Sequence, residues 1–276
     1  MIKSVAGIYF SPSGEAAKIT KKISKVIRDN VEQNHVEEVI CNYEDMLSKS
    51  ARQMNGLEFD PETVVVIGVP AVGGRLPAPC VDMLKKNRGN GAFAVILVTY
   101  GNNTYGDALF EMYNLVEDAG FNVTSAAAFA IGNAIFGISK GKKRYREDIE
   151  KIIEFAKISA NKIKRFSGTL IDEMKGKPAP LNIKGSMPSG KSLRIPLHPS
   201  ANSLCINCGN CARICPVGAI DKSDPSNIDI KKCIACTACI SACEQDARGF
   251  SGPMYAASKL AYEIFTKKKR EPEWFI

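Results

Sequence analysis

Apolar positions follow two rhythms through the first 175 residues. Continuous β-branched and apolar runs occupy Val5–Phe10, Thr63–Val69, Ala92–Tyr100 and Phe121–Phe129, with a weaker run at Val36–Cys41. Runs without polar alternation predict strands covered on both faces. Between them, Ala16, Ile19, Ile23, Val26 and Ile27 share one helical face, and Leu109–Ala119 and Arg144–Ile163 repeat that helical spacing. Ser11 suits the N-cap of the first helix and Pro12 its first position. Strands and helices in alternation predict an α/β doubly wound parallel sheet, and five strands within about 130 residues suit the order 2-1-3-4-5. Such sheets hold their ligands beyond the carboxyl ends of the strands.

The rhythm stops at residue 176. Pro178, Pro180, Pro188, Pro196 and Pro199, with Gly176, Gly185 and Gly190, break any regular element across 176–202. That stretch reads as a linker or an extended strap over the surface. Residues 203–250 then form a separate cysteine-bearing unit, and 251–276 a helical tail with a basic end. The expected domains are therefore 1–175, the 176–202 linker, 203–250 and the 251–276 tail.

Composition narrows the chemistry. Of 276 residues, 45% are apolar and 24% charged, which is ordinary for a globular protein. Ten cysteines stand beside only two histidines, His35 and His198, which excludes most histidine-based metal sites and argues against a Ser-His-Asp triad. The apolar start ends in a Ser-Pro turn and reads as a buried strand, not an export signal. No stretch reads as a membrane span, since 126–138 is too short and Gly-interrupted. A cytoplasmic location is expected, where thiols stay reduced and close cysteines act as metal ligands.

Eight cysteines fall within the 39 residues from Cys205 to Cys243. Cys205, Cys208, Cys211 and Cys215-Pro216 have the C-x2-C-x2-C-x3-C-P spacing of bacterial-type iron–sulfur sites. Cys233, Cys236, Cys239 and Cys243 repeat it at an offset of 28, and Ile206/Ile234 and Ala219/Ala247 repeat with them. Three cysteines at spacing three wrap one tight loop around an iron–sulfide cube, while the fourth, on the following turn, reaches the other cube. One cluster is thus assigned Cys205, Cys208, Cys211 and Cys243, and the other Cys215, Cys233, Cys236 and Cys239. Zinc fits poorly, because it wants two separated C-x2-C knuckles closing one tetrahedron.

At these residues the chain resembles two-cluster [4Fe–4S] ferredoxins, from Cys215-Pro216-Val217-Gly218-Ala219-Ile220 to Ile228-Asp229-Ile230. Glu244 stands where the family usually places Pro, which removes a rigid turn and no ligand. Three loops after the expected strands carry the polar residues of the first half: 11–16, 68–77 and 100–107. In their order, with Phe10-Ser11-x-Ser13-Gly14, Gly74-Arg75-Leu76-Pro77 and Tyr100-Gly101-Asn102, they resemble the single-chain flavodoxin–ferredoxin proteins of anaerobic bacteria and archaea. The resemblance implies a flavodoxin-like sheet followed by a small ferredoxin-like α+β domain, with one FMN and two [4Fe–4S] clusters. It implies flavin contacts at Ser11, Ser13, Gly14, Pro70, Gly73, Gly74, Arg75, Tyr100, Gly101, Asn102 and Tyr105.

This chain departs from the family's pattern at Pro12, Glu15 and Ala16 in the phosphate loop, at Val72, where a Tyr is usual, and near Asn133, where a His is usual. A carboxylate in the first helical turn competes with phosphate for the helix dipole. A flavodoxin-like fold without flavin, serving as a docking module, therefore stays open.

Other motifs carry less. Gly185–Ser192 matches a P-loop pattern, but Pro188 lies inside it and Pro196 and Pro199 prevent the helix that phosphate binding needs, so no ATPase is expected. Cys41 and Cys80 read as small buried hydrophobes. Basic runs at 140–146 and 267–270 lack interleaved aromatics and read as solvated ends, so nucleic acid is not expected as a partner. Partners are expected to be redox proteins. The expected role is electron transfer coupling two-electron and one-electron partners, with no catalytic residue needed. A flavin-dependent iron–sulfur reductase of a small acceptor is the alternative.

Overall fold

The computed structural model describes residues 2–32, 40–47, 55–136, 139–167, 178–187 and 195–276. The first part alternates β1 (Ser4–Tyr9), α1 (Glu15–Glu32), β2 (Ile40–Asp45), β3 (Thr63–Pro70), α2 (Ala78–Lys86), β4 (Phe93–Tyr100), α3 (Ala108–Asp118), β5 (Asn122–Ala130) and α4 (Ser139–Ser167). Strands β1–β5 are parallel in the order 2-1-3-4-5. Residues 36–39 of the weak run at Val36–Cys41 lie outside the described residues; the strand itself is Ile40–Asp45.

The uninterrupted apolar runs follow from cover on both faces. Val65, Ile67, Ile96 and Ala128 pack with Leu84, Leu109 and Met112 of α2 and α3. Their neighbours Val64, Val66, Leu97 and Phe129 pack with Ile19, Ile23 and Ile27 of α1 and Phe155 of α4. Alternation along each strand thus feeds two apolar cores. Gly68 permits the close approach of α1: a Cβ there would stand 1.9 Å from Thr20 Oγ1.

The segment after α4 returns to this body. Leu181 and Ile183 join the core on the α2–α3 face, and the Ser186 amide donates to Asp107 Oδ1 at 3.1 Å. Gly185 leaves room for Phe110, whose Cβ would meet an added Cβ at 2.6 Å. The strap is thus packed along 178–187. Residues 188–192 of the P-loop-like match lie outside the described residues.

The cysteine-bearing unit contains β6 (Ser200–Ala201), α5 (Asn210–Ile214), α6 (Ala238–Ser241) and β7 (Arg248–Gly249). Its duplication extends to the backbone. Left-handed residues recur at Asn207 (φ 55°) and Ala235 (51°), Gly209 (75°) and Thr237 (69°), and Gly218 (59°) and Asp246 (48°). The repeats wrap a small core of Cys211, Ala212, Ile220 and Cys239.

The tail 251–276 is more than a basic helix. α7 (Pro253–Phe265) is followed by β8 (Glu273–Phe275), which pairs antiparallel with β5 as a sixth strand. Trp274 packs on Phe155 at 6.2 Å between ring centroids. Lys269 Nζ binds the buried Asp148 of α4 at 2.6 Å, and Lys151 pairs with Glu271. The basic end therefore clamps the chain terminus onto α4. Among the described residues, no helix is long and apolar enough to cross a membrane.

Candidate functional site

A cavity of about 1290 Å³ opens at the carboxyl ends of β1, β3, β4 and β5, where a doubly wound sheet holds its ligand. Its sheet-side wall comes from Pro12 and Ser13, the 70–77 loop, Thr99–Gly101 and the 131–136 loop. Gly73 (φ 60°) and Gly74 (φ 79°) form a tight turn closed by bonds between Val72 and Arg75. Gly106 then touches Gly74 so closely that an added Cβ would lie 2.6 Å from its carbonyl oxygen. Arg75 grips Glu111 of α3 through two bonds of 3.1 and 3.2 Å, and the Leu76 amide donates to the same carboxylate. That pair, with its carboxylate buried, fixes the second loop against the third helix.

Of the eleven flavin-side residues expected from sequence, Ser13, Pro70, Gly73, Gly74, Arg75, Tyr100 and Gly101 line this cavity. Ser11, Gly14, Asn102 and Tyr105 stand outside its lining. Ser11 Oγ accepts the Ala17 amide at 2.9 Å, a bond that caps α1. The Asn102 side chain donates to the Thr266 and Lys268 carbonyls and accepts the Arg270 amide. The Tyr105 hydroxyl donates to Glu273 Oε2 at 2.6 Å; burial and that carboxylate raise its pKa. Asn102 and Tyr105 thus hold the returning chain terminus.

Several lining residues gave no sequence signal. Phe136 packs between Tyr255 and Tyr262 of α7, at 5.7 and 5.1 Å. Tyr262 and Phe265 close one side, while Val217 and the 231–236 loop of the cysteine unit close another. Nothing in a linear sequence marks α7 as part of a loop cluster formed 130 residues earlier.

The lining suits an FMN in two respects. Thr99 Oγ1 is buried at the cavity with no hydrogen-bond partner, and an orphaned buried hydroxyl calls for a ligand polar atom. The aromatic rings of Tyr100, Phe136 and Tyr262 offer apolar faces. Glu15, the departure in the phosphate loop, is buried outside the lining, and Lys18 neutralises it at 2.8 Å.

A second, smaller cavity is lined by Cys215 together with Cys233, Cys236 and Cys239. Burial pushes the Cys236 and Cys239 thiols up to about 12, so thiolates there need compensating cations or donors. Donors are present: backbone amides of Ala235 and Ala238 bond the sulfurs of Cys233 and Cys236. The repeats match again at the fourth cysteine, since Ala219 N donates to Cys215 Sγ at 3.2 Å and Ala247 N to Cys243 Sγ at 3.3 Å. Cys205, Cys208 and Cys211 occupy the corresponding loop of the first repeat, with Cys208 exposed. Among the described residues no three His, Cys, Asp or Glu converge on a single ion; a cube holds its thiolates at four corners, farther apart than one zinc would.

Cys233 and Cys236 line both cavities. Cys80, at the start of α2, is fully buried with its thiol pushed up by burial and by the nearby Cys236. Cys41 Sγ donates to the Tyr43 hydroxyl at 3.3 Å.

A parallel sheet of flavodoxin-like strand order is thus joined to a duplicated cysteine unit. Residues 200–244 match the 4Fe-4S dicluster domain. Among solved structures, a flavodoxin from the domain Archaea is similar at 13% identity and a TM-score of 0.39, covering 58% of this chain and 99% of that one. An oxidoreductase from Corynebacterium diphtheriae is similar at 14% identity and 0.41, covering 59% and 98%. No curated protein matches the chain. The flavodoxin-like fold stands on the strand order itself.

Proposed function

We propose that the protein passes electrons between an FMN in the large cavity and two [4Fe–4S] clusters in the cysteine unit, coupling two-electron to one-electron redox partners. The single observation that carries this reading is the shared wall: Cys233 and Cys236 line both the sheet-end cavity and the cysteine-lined one. FMN would supply two-electron acceptance with single-electron release, and each cluster one-electron carriage. Cys215, Cys233, Cys236 and Cys239 would hold the cluster next to the flavin. Cys205, Cys208, Cys211 and Cys243 would hold the outer one, whose Cys208 is exposed.

The chain's own residues set the distance. The strap at 178–187 packs on the sheet body before the cysteine unit, and α7 and β8 return to that body after it. Glycine turns at 73–74 bring backbone amides to the cavity edge, and Thr99 offers its free hydroxyl. Tyr100, at 5% exposure, and Phe136 exclude water from the sheet end.

Anaerobic purification followed by iron and flavin quantification tests the reading. About eight irons and one FMN per chain are expected. Iron near eight with no flavin absorbance would favour a flavin-free docking domain and overturn the FMN half.

A further inference from the structure

The two repeats of the cysteine unit turn through left-handed residues at the same places but fill one of those places differently. After its second cysteine the first repeat has Gly209 (φ 75°), and the second repeat has Thr237 (φ 69°). Glycine takes that conformation freely, whereas a β-branched residue there is strained. Each of the two residues opens the short helix that follows, α5 or α6. A threonine in that place ordinarily turns its hydroxyl onto a helix amide. Thr237 makes no such bond. It is 1% exposed, and its Oγ1 is buried with no hydrogen-bond partner. Thr237 lines the smaller cavity together with Cys215, Cys233, Cys236 and Cys239. The remaining side chains of that lining are apolar, so the cysteine sulfurs are the acceptors its side chains offer. A buried donor without a partner calls for an acceptor.

We propose that Thr237 is a hydrogen-bond donor to the cluster held by Cys215, Cys233, Cys236 and Cys239, and that its hydroxyl, bonded to a cluster sulfur, raises that cluster's reduction potential. This rests on the two-cluster reading above. Hydrogen bonds to the sulfurs are among the factors that set such a potential. Adding one electron makes the core and its four thiolates more negative, and a donated hydrogen bond is stronger to a more negative acceptor. The hydroxyl therefore favours the reduced form. One electron is gained, no bond is made or broken, and no proton is transferred. At the twin position Gly209 has no side chain to donate. The cavity that Thr237 lines also shares Cys233 and Cys236 with the sheet-end cavity, so the tuned cluster is the one beside the proposed flavin.

The test is an EPR-monitored dithionite titration of the anaerobic full-length protein, with iron content measured in parallel. Wild type should show two midpoints. Thr237→Val, which keeps the shape and removes the hydroxyl, should weaken reduction of one cluster about tenfold. For one electron that is a downward shift of about 59 mV, with the other midpoint and the iron content unchanged. Thr237→Gly, which copies the twin and relieves the backbone, should lower the same midpoint and reads the same loss should valine hinder loading. Thr237→Ser, which keeps the hydroxyl, should hold that midpoint near wild type. Unmoved midpoints in the Val and Gly variants, equal movement of both midpoints, or a Ser variant that falls as far as Val would overturn the proposal. Loss of about four irons from the Gly and Ser variants alike would also overturn it, by making Thr237 an assembly residue. Wild type lacking two reducible clusters would instead defeat the reading on which it rests, and the proposal with it.

Discussion

The Tyr262 hydroxyl donates to the Gly101 carbonyl oxygen at 2.7 Å, joining the helix that leaves the cysteine unit to the loop that ends β4. Asn102, the next residue, is 1% exposed and binds three backbone groups between Thr266 and Arg270. The two residues dock the chain terminus on the sheet end. Tyr262→Phe should cost about 1 kcal/mol of stability. It should also speed amide exchange across α7, measured by hydrogen–deuterium exchange, with little change in the exchange of β3 and β4.

Gly68 sets the distance between α1 and the sheet. In Gly68→Ala the new methyl would meet Thr20 Oγ1 at 1.9 Å, and overpacking of this kind costs roughly 1–3 kcal/mol. Because Thr20 Oγ1 is buried with no partner, adding Thr20→Ala should restore part of the loss. Chemical denaturation of the two variants checks both steps.

The sheet, and the match of the cysteine unit to a 4Fe-4S dicluster domain, were legible in sequence because their signals are local. Val64–Ile67 reads as a strand without reference to anything distant, and the cysteine spacing needs one tight loop. The edge strand β8 was not legible: three residues, Glu273 to Phe275, pair with a strand 145 or more positions earlier. Tyr105 reads as a cavity residue because loop-end polar groups follow β4, yet its partner Glu273 comes from that same distant strand. Arg248 carries a charge that reads as surface, and only the packed repeat shows it buried.

Docking of the terminus should depend on pH at both extremes. Burial alone would lower the Lys269 pKa, but the hydrogen bond and charge of Asp148 outweigh it and the net shift is upward. The stability it contributes is present below 10.5 and is lost as pH rises through the folded-state value. Lys151 holds the Glu271 carboxyl below its ordinary 4.5. That contribution is present above 4.5 and is lost as pH falls through the lowered value. Trp274 is the sole tryptophan, so its emission should stay constant across the neutral range and shift red toward either extreme.

The proposed cross-over of the fourth cysteine would let the two clusters be separated genetically. Cys215 lies in the first motif, yet it lines a cavity with Cys233, Cys236 and Cys239. Cys215→Ser should damage the cluster of the second motif and spare that of the first, read by iron content and EPR. Loss confined to the first motif's cluster would reverse the assignment.

The most direct measurement delivers electrons to the flavin by rapid photoreduction and follows cluster reduction in the same sample. With Cys233 and Cys236 between the two cavities, transfer within one chain should proceed at a rate independent of protein concentration. A rate that rises in proportion to protein concentration, or a purified protein without flavin to reduce, would contradict the account.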